Sequence, residues 1–247
     1  MLFQILLPPV IPVAAIYICA AILPALFLLY YIYRHDTIEP EPAGLLFSLV
    51  LLGAVAAILS SILEGFGESI LNFFVYRNDP RYTPLLAFLV VAVVEEGTKF
   101  LLLKRRTWEH PAFNYRFDGV VYSAFLSLGF AAFENVYYIF GYGLSVAVPR
   151  ALLAIPGHLS FSVFMGAHYG RARLRANRRH PVGAAVSLWT GYLVAVLLHG
   201  FYDACAMSGT ATSTALFLAF VLVMFVAAWR TIKRESATDR PIVRGLR

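Results

Sequence analysis

The sequence predicts an all-α polytopic membrane protein, with about seven transmembrane helices around a buried polar site. Three observations predict it. The 247 residues are 60% hydrophobic and only 14% charged, with a mean hydropathy of +0.73; a soluble domain carries roughly a quarter of its residues charged. Several apolar runs exceed the roughly 18 residues that suggest a membrane span. Ionisable residues recur inside those runs, where each costs a few kcal/mol to insert.

The spans fall at roughly 10–33, 44–64, 84–103, 117–140, 150–170, 184–206 and 211–230, each long enough for a ~30 Å hydrocarbon core. Pro8, Pro9, Pro12 and Pro24 are expected to disturb the first span. The stretch 65–83 is ambiguous; with Glu64 at its edge, it holds Glu68 and an apolar run from Ile70 to Tyr76. It reads as an interfacial segment, too short to cross. The chain reads as one membrane domain over 1–247, with a core at about 44–206 and a polar tail at 231–247. Met1 to Pro12 has no basic n-region and no small-residue cleavage site, so no removable signal peptide is expected. Cys19 and Cys205 lie in apolar runs and read as small buried apolar residues, not a disulfide framework.

Lys and Arg set the orientation. One set of alternate connections holds Arg34, then Lys104, Arg105, Arg106 and Arg116, then the arginines from Arg171 to Arg179, then the basic residues of the tail. The opposite set holds only Arg77, Arg81 and Arg150. The bias places the C-terminus in the cytoplasm and, with seven spans, the N-terminus outside. The same placement excludes nucleic acid as a partner: the net charge of +6 belongs to short loops beside apolar spans.

The polar residues within spans carry the chemistry. The third span reads Val94-Glu95-Glu96-Gly97-Thr98-Lys99. Glu95 and Lys99 share a helix face, whereas Glu96 points about 100° away. One glutamate should therefore be neutralised by Lys99, most simply Glu95, and the other is free for another task. Glu134 lies deep in the fourth span. His158 follows Pro156-Gly157 in the fifth, where the helix is loosened. His199 and Asp203 stand one turn apart in the sixth, so the carboxylate can orient the imidazole. Counted from the outer span ends, Glu134 lies ~9 Å deep, His199 ~10 Å, His158 ~12 Å and Glu95 ~16 Å. Similar depth on four helices predicts one cluster in the outer half.

Glu134, His158 and His199 form a His₂Glu set, the ligand type of a catalytic zinc with an open position. Glu95 or Glu96 then serves as general base, with Lys99 and Asp203 in support. A metal-free scheme stays open, in which a buried glutamate activates water and the histidines donate to the oxyanion. Both schemes give hydrolysis within the membrane.

Glu95-Glu96-x-x-Lys99, Phe130-x-x-x-Glu134, His158 and His199-x-x-x-Asp203 follow one another on successive spans. Arg34-His35-Asp36 and Glu39-Pro40-Glu41-Pro42 follow the first span. This ordered set, from Asp36 to Asp203, resembles the PrsW family of intramembrane proteases, in a superfamily with the prenyl-protein CAAX endopeptidases. The CAAX branch ends its second motif in His where this chain has Glu134, which favours the PrsW branch. The resemblance implies a metalloprotease of the bacterial plasma membrane. Its implied substrate is a single-pass membrane protein, such as an anti-sigma factor, cut on the extracytoplasmic side. Two other classes compete: a proton- or ion-coupled transporter, since Glu, His and Asp chains also mark ion pathways, and a non-catalytic membrane scaffold.

Overall fold

A computed structural model describes residues 3–242, with side chains from residue 13 onward. Seven helical passes follow one another. They are α1 (Phe3–His35), α2 (Ala43–Phe74), α3 (82–107), α4 (Asp118–Tyr142), α5 (Leu144–Asn177), α6 (Pro181–Met207) and α7 (Ala211–Ala237). All but α3 are long and apolar enough to cross a membrane by composition alone. The exception has a physical cause, because α3 carries Glu95, Glu96 and Lys99 in mid-helix and Lys104, Arg105 and Arg106 in its last turn. Among the described residues there is no strand, only a bridge between Tyr115 and Pro241.

Helix α4 is the axis of the bundle. Every residue from Asp118 to Ala131 is buried, and α4 packs against α1, α2 and α5. Close approach of backbones makes this possible. A Cβ at Gly53 or Gly129 would strike the backbone of the facing helix in the α2–α4 contact, and the same holds for Gly119 and Gly166 between α4 and α5. Lipid is as apolar as leucine, so small residues that let backbones touch are what bind helices in a bilayer. The outer faces of α1, α2 and α7 present Phe27, Phe47, Leu222 and Val223 outward, as lipid-facing helices do.

Four expectations change. The stretch 65–83 is no separate segment: α2 continues unbroken to Phe74, and only 75–81 is loop. Glu68 accepts from Arg77 and from the Tyr82 hydroxyl at 2.7 and 3.0 Å, while Phe73, Phe74 and Tyr76 project outward, as aromatic residues near the end of a membrane helix commonly do. The fifth pass begins at Leu144, so Arg150 lies within it rather than at its mouth. Pro24 sits inside α1 without ending it; the expectation for Pro8, Pro9 and Pro12 concerns side chains outside the described residues. Cys19 is exposed and Cys205 only half-buried, because an apolar lipid-facing position suits a thiol as well as a packed core does.

The loop between α1 and α2 gathers carboxylates at the end of the bundle opposite the Glu–His cluster. Glu41 is buried and accepts a hydrogen bond from Tyr122 at 2.5 Å. Asp36 holds a covered oxygen without a partner. Burial, then the charges of Asp239 and Glu39, push Asp36 from 3.8 up to about 7. Burial, with the charge of Asp36 behind it and the Tyr122 hydrogen bond opposing, pushes Glu41 from 4.5 to about 7. Both groups hold protons more tightly folded than unfolded. Their stabilising contribution is therefore complete below about pH 4 and is lost as pH rises through about 7. Thermal unfolding in detergent should show a lower midpoint at about pH 8 than at about pH 5, with a smaller difference in Asp36→Asn. An unchanged difference in that variant refutes the assignment.

Candidate active site

Two π-helical segments stand directly upstream of the polar residues. Leu86–Val91 precedes Glu95 and Glu96 on α3, and Arg150–Ala154 precedes His158 on α5. Each follows a proline, Pro84 or Pro149, and Pro156 opens the next helical stretch. A proline supplies no N–H to the turn before it, and a π turn rotates everything downstream relative to a regular helix. These irregularities set which face of α3 and α5 turns inward.

Glu95, Glu96, His158 and His199 are all buried, and one ligand-type atom from each lies within 4.8 Å of the others. The Lys99 ammonium sits among them, 3.0 Å from Glu95 Oε2, 2.9 Å from Glu96 Oε1 and 3.1 Å from His158 Nδ1. It also lies 3.8 Å over the Phe130 ring. Lys99 was expected to neutralise one glutamate and instead reaches both. The flexible four-carbon stem lies between positions three and four residues back, which bracket it on the helix surface.

Each histidine is held from two sides. His158 turns Nδ1 towards Lys99 and Nε2 towards Glu134 Oε2, at 3.1 Å. His199 turns Nδ1 towards Glu96 Oε1, at 2.9 Å, and Nε2 towards Asp203 Oδ2, at 3.2 Å. The His199 ring stacks on Phe161, with centroids 4.7 Å apart. Thus His199 Nδ1 faces Glu96 and His158 Nδ1 faces Lys99, while the Nε2 of each ring faces a carboxylate that can orient it, that of His199 standing also 3.9 Å from Glu95 Oε2. Glu134, expected as a ligand, stands outside the compact group. The Arg150 guanidinium, 2.7 Å away, draws it to the outer nitrogen of His158. Asp203 stands where the one-turn spacing placed it.

A cavity of about 250 Å³ opens on this cluster and is lined by Glu64, Glu95, Glu134, Arg150, His158, His199, Tyr202 and Asp203, among others. A second cavity of about 270 Å³ lies between α2 and α4. It shares Glu64, Glu95 and Glu134 with the first. Ile58, Ile62, Phe133 and Tyr137 line it and are also exposed on the outer surface, so it opens sideways towards lipid. Arg150 and Glu64 were read in the sequence only as a loop cation and a carboxylate at a span edge, not as members of the site. Arg150 could have been found by asking which cation balances Glu134; Glu64 sat at the edge of an ambiguous stretch and offered no such signal.

The donor set suits a divalent ion. Two imidazoles and two carboxylates are the ligand types of a catalytic zinc. Glu96 Oε2 is buried with no hydrogen-bond partner, which a coordinating oxygen would explain. Charge points the same way. Among the described residues, the fixed cations that pair with any of Glu64, Glu95, Glu96, Glu134 and Asp203 are Lys99 and Arg150, and so many carboxylates at membrane depth need protons or a bound cation.

The match to the PrsW family intramembrane metalloproteases spans residues 41–229. The chain belongs to this family. It is 32% identical to Protease PrsW of Geobacillus kaustophilus over 225 residues, 91% of this chain and 94% of the relative. It is 34% identical to Protease PrsW of Bacillus subtilis over 190 residues, 75% of this chain and 80% of the relative. It is 30% identical to Protease PrsW of Clostridioides difficile over 83% of this chain and 85% of the relative. No solved structure matches. As a PrsW-family member the chain is a multi-pass membrane peptidase, and its buried Glu–His group could hold a metal. The transporter and scaffold readings give way to this one.

Proposed function

We propose that the protein cuts single-pass membrane proteins near the extracytoplasmic side of a bacterial plasma membrane, with anti-sigma factors as a candidate class. The observation that carries the reading is the two-sided hold on each histidine beside a glutamate pair. His158 and His199 would hold a divalent ion, most simply zinc, through their Nδ1 atoms, with Glu96 as the third ligand. When bound, the ion polarises the scissile carbonyl and lowers the pKa of water. Glu95 takes the proton from the attacking water and returns it to the leaving amine, because it lines both cavities and Glu96 does not. Glu134 and Asp203 fix the two imidazoles, and Arg150 fixes Glu134. Glu134 thus moves from ligand to orienting group.

A second reading rests on Lys99, whose ammonium occupies the centre of the group. There the lysine replaces the ion, and Glu95 activates water with the histidines as donors to the oxyanion. Purified protein, reconstituted in phosphatidylethanolamine–phosphatidylglycerol vesicles with a fluorogenic library of single-span peptides, separates the two. The zinc reading expects stoichiometric metal, and loss of metal and cleavage together on chelation. Glu134→Gln should weaken metal binding by about 10–100-fold, the usual cost of an orienting partner. Full activity with sub-stoichiometric metal favours the lysine reading. Cleavage of no peptide sinks both.

The orientation is tested separately. Cysteines placed in the loops after α3 and α5, rich in Lys and Arg, should resist impermeant thiol reagents in intact cells. A cysteine in the loop 75–81 should react. Labelling of both basic loops from outside reverses the topology.

A further inference from the structure

One carboxylate at this level has no task in the scheme above. Glu64 lies ten residues before the end of α2, about 15 Å below its outer end at the helical rise. The other four carboxylates each have a partner: Glu95 and Glu96 on Lys99, Glu134 on Arg150, and Asp203 on His199. Glu64 Oε1 is covered from solvent and makes no hydrogen bond. The residue also occupies a junction. It lines the cavity that opens to lipid between α2 and α4, and it lines the cavity over the Glu–His group.

A peptide bond can be cut only when its carbonyl is exposed to attack, so the substrate must be locally unwound. Unwound backbone at membrane depth leaves N–H groups without water to bond them, and such backbone is tolerated only where protein supplies partners. A buried donor left unmade costs more than an ordinary hydrogen bond gains. The lipid-open cavity has apolar walls at Ala57, Ile58, Ile62 and Phe133, interrupted by the hydroxyls of Ser60, Ser61, Tyr137 and Tyr138; Ser60 is already bonded to Thr98. Glu64 offers a free acceptor where that path meets the catalytic cavity.

We propose that Glu64 is a substrate-binding residue. Its carboxylate accepts a backbone N–H of the extended substrate segment beside the scissile bond, as that segment passes sideways between α2 and α4. The inference rests on the proteolytic reading. It requires an acceptor oxygen at this position and does not require a negative charge.

The test uses the full-length protein in vesicles and the best-cleaved peptide of the fluorogenic library. Glu64→Leu removes the acceptor and should lower kcat/KM about ten- to hundredfold, mostly through KM. Glu64→Gln keeps a carbonyl oxygen and should recover most of the loss. Metal content should match the parent in both variants, which separates this role from that of a ligand. Wild-type KM in Glu64→Leu overturns the inference. So does an equal defect in Glu64→Gln, which would make the charge the active feature. Should Glu64→Leu fail to fold, Glu64→Cys is paired with peptides carrying one cysteine at successive positions. Disulfide trapping should peak beside the cut site, and trapping at no position overturns the proposal. A wild-type protein that cleaves nothing fails at the proteolytic reading and takes this inference with it. A wild-type protein that cleaves, beside an unaffected Glu64→Leu, fails here alone.

Discussion

Glu95→Gln is expected to lower kcat about a hundred- to ten-thousandfold, the usual contribution of a positioned proton acceptor, while the protein stays folded and keeps its metal. The amide matches the carboxylate in shape and still accepts from Lys99, so the packing around the 3.0 Å contact survives. It cannot take a proton from water. The two glutamates differ in access: Glu95 lines both cavities, whereas Glu96 is fully enclosed and holds Lys99 and His199 on one oxygen. Glu96→Gln should therefore lose metal and activity together. Single-turnover cleavage and metal content of both variants decide the division of labour. Wild-type turnover by Glu95→Gln removes it from the role of base.

Lys99→Met should destabilise the metal-free protein by about 3–5 kcal/mol, the cost of stranding buried partners. Lys99 is 2% exposed, and its ammonium is shared by two buried carboxylates. Methionine keeps most of the stem's volume but leaves both carboxylates without their cation. In a chain of this size the unfolding temperature should drop by roughly 6–20 °C. Added zinc should then raise it more in Lys99→Met than in the parent, because the dication takes over the lost charge and no ammonium competes for the space. Unfolding in chelator at the parent's temperature would show that Lys99 is not the neutralising group.

The family match and the geometry agree on one point of physical chemistry. Charged groups survive in apolar helices only with partners or a task, so the same residues stand out in the chain and in the bundle. Glu95, Glu96, Lys99, Glu134, His158, His199 and Asp203 were legible for that reason. Their meeting was foreshadowed by depth, since the rise per residue is fixed in a helix. Depth carries no information on azimuth, and azimuth separates a ligand from an orienting group. Glu134 and His158 lie on different helices, and nothing in their spacing tells which ring nitrogen faces which carboxylate.

The sequence by itself determined the helical class, the number and order of the passes, and the identity of most of the polar cluster. Length, hydropathy and insertion cost are local quantities that a chain reveals without its partners. Only the tertiary structure decided that Arg150 pulls Glu134 to the outer face of His158, and that Glu64 stands between two cavities with one carboxylate oxygen unpaired. Those facts depend on how α2, α4 and α5 are rotated about their own axes. The rotation is set by backbone contact at Gly53, Gly129, Gly119 and Gly166 and by the π segments ahead of Glu95 and His158. Such contacts join residues far apart in the chain, and no periodicity within one helix encodes them.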